Sequence, residues 1–184
     1  MIREVLVDAR RRLAAAAFEP DTREAILLLS QVLGVSEARI LSHQEERLDP
    51  PSAQRFERLL ERRLAGEPVA YLLGIKEFYG RPFYVDRRVL VPRPETEHLV
   101  EMALELPLPG SPVVLDIGTG SGSLACTLGL ELPASRVVAT DISVGALAVA
   151  HRNRQALGLR GRLELIAGDL AAPLDLHTFD LIVS

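Results

Sequence analysis

Val113-Val114-Leu115-Asp116-Ile117-Gly118-Thr119-Gly120-Ser121-Gly122 decides the reading of this chain: a short apolar strand runs into a carboxylate and then into glycines at alternate positions. Glycines at such a turn let the backbone take positive φ and let a ligand approach with no Cβ in the way. Ser123 to Leu132 then reads as a helix whose N-terminus faces that ligand. A dinucleotide fingerprint has the spacing GxGxxG and an apolar residue in place of the acid. Here the spacing is GxGxG, Ser123 follows Gly122, and Asp116 stands two residues before the first glycine. A carboxylate at a strand end suits a cationic amino group, which points to S-adenosylmethionine. A glycine turn by itself is often only a tight connection, so the residues around it have to carry the reading.

Downstream, strand and helix signals alternate. Arg136 to Thr140 reads as a second strand ending at Asp141, Ser143 caps a helix to about Leu157, and Gly158 stops it. Leu163 to Ala167 is a third strand ending at Gly168-Asp169, and Phe179 to Val183 a fourth, apolar enough to be central in a parallel sheet. The alternation predicts a doubly wound α/β sheet with its ligand at the carboxyl ends of the strands. Asp141, 19 residues after Gly122, is placed to accept from both hydroxyls of a ribose. Asp169, or the backbone of Leu170, is placed to meet the amino edge of an adenine. One such acid is ordinary turn chemistry. Acids ending three successive strands fit a nucleoside site better than a set of caps.

Upstream, the first seventy or so residues read as short capped helices. Ile2, Val5, Leu6, Ala9 and Leu13 give one amphipathic helix ending before Pro20; Asp21-Thr22-Arg23-Glu24 has the form of a capping box and opens a second that stops at Gly34. Ser36 caps a third through Leu41, and Pro50-Pro51-Ser52 opens a fourth that buries Phe56, Leu59, Leu60 and Leu64. Such a run makes a small bundle. Arg58, Arg62 and Arg63 are a candidate docking face, although the interleaved Glu57 and Glu61 favour an ordinary solvated helix face. From Lys76 the period changes: Phe78, Phe83, Tyr84 and Val85 around Gly80-Arg81-Pro82, followed by Val89-Leu90-Val91, read as a hairpin of strand segments between domains. In Pro92-Arg93-Pro94-Glu95-Thr96-Glu97 the prolines hold an extended backbone and deliver a helix start with acids in its first turn. That helix carries Leu99, Val100, Ala103, Leu104 and Leu106.

Composition narrows the function classes. With 184 residues, 48% hydrophobic and 25% charged, the chain can bury a sizeable core. It shows neither a run long enough to span a membrane nor the layout of a signal peptide, so a cytoplasmic protein is expected. A net charge of −4 gives no global basic field for nucleic acid. Cys126, the single cysteine, reads as a buried filler, and His43, His98, His151 and His177 have no metal-ligand spacing, so no metal is expected.

Gly74 to Glu101 (GIKEFYGRPFYVDRRVLVPRPETEHLVE), VLDIGTGSG (Val114 to Gly122) and FDLIVS (Phe179 to Ser184) together closely resemble the HemK/PrmC family of release-factor glutamine methyltransferases. The EFYG…VLVPRPETE block is the specific part, since many methyltransferases share the glycine loop. The resemblance covers essentially the whole chain. It implies a helical bundle over 1–73 that docks the release factor, a β-hairpin linker over 74–92, and the first half of a Rossmann-like S-adenosylmethionine-binding domain over 93–184. It implies methylation of the side-chain amide nitrogen of the glutamine in the GGQ motif of peptide chain release factors, by a monomer without direct nucleic-acid or membrane partners. Gly118, Thr119, Gly120, Ser121 and Gly122 would hold the methionine part, Asp141 the ribose, and Asp169 and Leu170 the adenine, with Arg93, Glu95 and Thr96 in the substrate cleft. In the family FDLIVS is followed by Asn-Pro-Pro-Tyr, whose Asn oxygen and proline carbonyl orient the amide. Catalytic groups are therefore expected directly after Ser184, none within these residues, and the 184-residue chain is expected to be inactive alone. A glutamine methyltransferase of a large-subunit ribosomal protein, an adenine-amine DNA methyltransferase, a non-catalytic cofactor-binding module and a nicotinamide dehydrogenase are the other readings, the last disfavoured by Asp116 and the glycine spacing.

Overall fold

α1 (Ile2–Ala14) places Ile2, Leu6, Ala9 and Leu13 on one buried stripe, as their three-to-four spacing requires. It opens the first of two compact units, Met1–Leu73 and Gly74–Ser184; the computed structural model describes residues 1–16, 21, 23–172 and 174–184. α2 (Glu24–Leu33) ends at Gly34, whose positive φ of 66° returns its N–H to the Ser30 carbonyl. α3 (Glu37–Ser42) begins at Ser36, whose hydroxyl accepts from the Arg39 N–H at 3.2 Å. α4 (Pro50–Leu64) begins at Asp49, which accepts from the Ser52 N–H at 2.9 Å. α5 (Val69–Leu73) completes the unit, whose core gathers Leu28, Leu29, Ile40, Phe56 and Leu60.

Two local expectations for this unit give way to one long-range contact. Asp21 accepts from the Arg23 N–H at 2.8 Å, but Glu24 closes no capping box. Its carboxylate is taken instead by the Arg63 guanidinium, 39 residues away, through contacts of 2.8 and 3.1 Å with both side chains about nine-tenths buried. Arg63 therefore lies inside the bundle and not on a solvated face, whereas Arg58 and Arg62 are exposed. Thr22 of the expected box and Pro20, the expected limit of the first helix, lie outside the described residues.

The second unit starts with an antiparallel ribbon, β1 (Ile75–Phe78) and β2 (Arg81–Tyr84), joined by Tyr79-Gly80. Both turn residues have positive φ, 49° and 69°, the type I′ geometry that matches strand twist. Phe78 and Phe83 meet edge to face at 6.0 Å and enter this unit's core, so the ribbon is packed into it. Val89-Leu90-Val91 forms no strand. The Val89 N–H turns back to the Asp86 carbonyl, Asp86 is clamped by Arg88 and the Tyr84 hydroxyl, and Pro92 has no N–H to donate. A 3-10 turn, Pro94–Thr96, leads into α6 (Glu97–Glu105), which buries Val100 and Ala103 but leaves Leu104 exposed; Leu106 lies beyond its end and is exposed too.

β3 (Val113–Ile117), α7 (Ser123–Glu131), β4 (Arg136–Asp141), α8 (Val144–Ala156), β5 (Leu163–Ala167) and β6 (Leu181–Val183) build a parallel sheet in the order β5-β4-β3-β6. This is a Rossmann-like α/β fold. β6, expected to be central, pairs with β3 on one side and is an edge strand among the described residues. The chain winds from β3 out through β4 and β5 and then returns to the other flank of β3. That reversal opens a crevice at the carboxyl end of β3, where Asp116 lies level with Ala139 on one neighbour and Val183 on the other.

Candidate functional site

β3 delivers Asp116 to the crevice with only 3% of its surface exposed. Its carboxylate accepts from the Thr119 hydroxyl at 2.6 Å, and the Ala125 N–H also bonds to it. Both donors are neutral. Burial consequently pushes the Asp116 carboxyl up to about 6, against the pull of these hydrogen bonds and helped by the charge of Asp141. The glycine loop lies across this carboxylate. Gly118 and Thr119 both donate their N–H to the Thr140 carbonyl at 2.9 Å, and the Gly122 N–H returns to the Thr119 carbonyl at 2.8 Å. Asp141 accepts from the Gly120 N–H at 2.9 Å and the Ser143 N–H at 2.8 Å, so the second strand end holds the loop of the first.

Asn153 fixes the other side of the loop. It is buried in α8, donates to the Ser121 carbonyl at 2.8 Å, and pairs with the peptide of Tyr84, accepting from its N–H at 2.8 Å and donating to its carbonyl at 2.9 Å. One amide thus ties the end of β2 to the loop. A polar residue inside a helix carries no sequence signal for such a role, and the sequence reading passed over it. Ser143, by contrast, caps α8 as expected, its hydroxyl accepting from the Ala146 N–H at 3.1 Å.

A cavity of about 240 Å³ opens above Asp116, walled by Leu90, Pro92, Arg93 and Thr96 on one side and by Gly118 to Ser121 with Ser123 on the other, and Ser184 reaches it from the end of β6. The structure therefore brings Asp116, Gly118, Thr119, Gly120 and Ser121 together with Arg93 and Thr96. Gly122 lies behind the loop against α8, and Asp141 reaches the loop from below; neither lines the cavity, nor does Glu95. Asp169 and Leu170 are exposed beyond β5, where Leu170 holds a positive φ of 49°. Ile142, directly after Asp141, is 75% exposed and adds an apolar surface at the end of β4 that the sequence reading did not single out. Ser184 was equally unsuspected, although the strand reversal beside β3 is the signal that would have found it. Cys126 is buried and its thiol is pushed up to about 12 by burial, a filler in α7. No group of three or more potential metal ligands occurs among the described residues.

Residues 4–74 match the model of the PrmC N-terminal domain, and residues 114–184 match a methyltransferase domain model. A release factor glutamine methyltransferase of Moorella thermoacetica is 44% identical over all of this chain. The chain is thus similar along its whole length to release factor glutamine methyltransferases, with a PrmC-type N-terminal part and a methyltransferase part. Further relatives are the enzymes of the same name from Neisseria gonorrhoeae, 50% identical over 88% of this chain, and from Cereibacter sphaeroides, 45% identical over 94%. The chain spans 65% of the length of the Moorella relative, 59% of the Neisseria one and 61% of the Cereibacter one. Within the family match the glycine loop, Asp116 and Asp141 fall in the methyltransferase segment, while Arg93 and Thr96 precede it.

Proposed function

We propose that residues 74–184 form the S-adenosylmethionine site of a methyltransferase that acts on the GGQ glutamine of peptide chain release factors, and that residues 1–73 dock the protein substrate. The observation that carries this reading is the buried carboxylate of Asp116 under a glycine loop, opening into a cavity shared with Arg93 and Thr96. The names of the relatives support the substrate. The residues fit the cofactor: Asp116 has only neutral donors, so a cationic amino group would complete it, and Gly118 has open space where a Cβ would stand. Asp141 spends one acceptor site of one oxygen on the Gly120 N–H of the loop and one of the other on the Ser143 N–H, and keeps others for a ribose. Ile142 and Leu170, exposed at neighbouring strand ends, offer apolar surface to an adenine.

When bound, S-adenosylmethionine supplies a methyl group on a positively charged sulfur that leaves as a neutral thioether. An amide nitrogen is a weak nucleophile because its lone pair is delocalised, so positioning has to do most of the work. The chain's contribution is to hold the donor: Asp116 anchors one end, Asp141 the middle, and the loop fixes the distance between them. Groups that orient the amide follow Ser184 in the family pattern. Extending the chain at Ser184 with the corresponding residues of the Moorella relative is therefore expected to give transfer of tritiated methyl to a release factor and none to the same factor with alanine at the GGQ glutamine. Label on both factors, or on neither while cofactor binds, would refute the substrate assignment.

Asp116 also sets a pH dependence. Cofactor binding needs the ionised carboxylate, and its pKa in the free chain is about 6. Affinity should therefore rise about tenfold between about pH 5 and about pH 7 and level off above. Folding linkage has the opposite sign: the folded pKa lies above the usual 3.8, so the contribution to stability is full below that value and is lost as pH rises through 6. Asp116→Asn should thus weaken cofactor binding about tenfold or more, flatten its pH profile, and raise the melting temperature of the free chain at neutral pH. Calorimetry and thermal unfolding across this range check both signs; a lower melting temperature would contradict the assignment of Asp116 as an uncompensated buried charge.

A further inference from the structure

The helical unit carries a second depression, about 430 Å³, between α2, α4 and α5. Its floor is apolar, made by Val32, Leu59 and the buried Leu72, and its rim carries Arg55, Arg58 and Arg62. Three and then four residues separate these arginines, which puts them on one face of α4. They are not equivalent. Arg62 is held by Glu67 through contacts of 2.8 and 2.7 Å, and Arg55 donates to the Ser52 hydroxyl at 3.0 Å, a neutral partner. Arg58 is exposed and makes no hydrogen bond or ion pair among the described residues. The acids of α4 do not offset them: Glu57 is drawn away by Arg12 at 2.7 Å, and Glu61 does not line the groove. Arg58 has no carboxylate partner among the described residues, and Arg55 feels the charge of Asp49 at the start of α4 but forms no ion pair with it, so two guanidinium groups without a carboxylate in direct contact stand over an apolar floor, on a chain whose net charge is −4.

We infer that this groove is a docking site for a short acidic polypeptide segment, one apolar side chain seated on Val32, Leu59 and Leu72 and flanking carboxylates paired with Arg55 and Arg58. Guanidinium forks match carboxylates in a bidentate way, and clusters of arginine read acidic motifs for that reason. A nucleic acid fits less well. No aromatic ring lines the groove to stack a base, and the chain as a whole is acidic. The inference rests on the reading that residues 1–73 dock a protein and narrows it to one groove, and its test involves neither cofactor nor methyl transfer, so its failure would leave the cofactor site standing.

The test uses the 184-residue chain, fluorescence anisotropy and a short fluorescein-labelled peptide of alternating Glu and Leu, in about 50 mM salt where surface charge is weakly screened. The same measurement is made with a Glu/Ser peptide of equal charge and with labelled oligothymidine. The expected result is binding of the Glu/Leu peptide that falls at least about tenfold in Arg55→Glu/Arg58→Glu and about fivefold or more for the Glu/Ser peptide, with no comparable binding of oligothymidine. Both substituted side chains are exposed, and an unchanged circular dichroism spectrum checks that the fold is kept. Absence of Glu/Leu binding, equal binding by the double variant, equal binding of the Glu/Ser peptide, or tighter binding of oligothymidine would each overturn the inference.

Discussion

Gly122→Val is expected to abolish cofactor binding and to destabilise the second unit by about 3–5 kcal/mol. Gly122 caps α7 with φ at 77°, and a Cβ there would lie 3.0 Å from the Ala150 Cβ and 3.2 Å from its Cα. The obstruction is helix α8 itself, whose Ala150 is fully buried and cannot swing aside. Asn153, three residues along the same helix, holds the Ser121 carbonyl, so the loop cannot lift away without breaking that bond. Strain from the left-handed backbone and overlap with α8 therefore add. Gly120→Ala separates the two: its φ is 55°, but the nearest atom to an added Cβ is 3.9 Å away. That variant should lose only about 1 kcal/mol of stability. Thermal unfolding and calorimetry of the pair check the contrast, and equal losses in both would show that the α8 contact is not the cause.

Removing Arg63 should damage the helical unit by a comparable amount. Arg63→Ala leaves the Glu24 carboxylate buried with no cation, a situation that costs about 3–5 kcal/mol. The ion pair itself need not stabilise the fold much, since its burial is expensive. Arg63→Met with Glu24→Leu, which replaces both charges with apolar side chains, should accordingly recover most of the loss. Hydrogen exchange read on peptides from α2 and α4 is the measurement suited to a chain of two units. Exchange there should speed up by about two orders of magnitude or more in the single variant and by far less in the double one. A double variant as unstable as the single one would show that Arg63 acts through packing and not through charge.

Both predictions rest on contacts that a linear reading reaches only in part. The ends of α2, β3 and β5 were legible because each is fixed locally, by a stop residue such as Gly34 or by an apolar run with a turn after it. The doubly wound order followed from the same alternation. What escaped depends on partners far along the chain. Glu24 left its capping box for Arg63, 39 residues away, and Asn153 bonds Tyr84 across 69. Val89 to Val91 has the composition of a strand, but the clamp of Asp86 by Arg88 and the missing N–H of Pro92 bend it into one wall of the cavity. At the site, Asp116 and the glycine loop could be read from spacing alone. Their meeting with Arg93, Thr96 and Ser184 could not, because it arises from the reversal of strand order beside β3.

The cavity above Asp116 is proposed to take S-adenosylmethionine. Isothermal titration of the 184-residue chain with S-adenosylmethionine and, separately, with NAD at about pH 7.5, above the Asp116 pKa of about 6, tests it most directly. Saturable binding of S-adenosylmethionine at one site, lost in Gly122→Val, and no heat from NAD are expected. Binding of NAD in place of S-adenosylmethionine, or no binding of S-adenosylmethionine by the folded chain, would contradict the proposal.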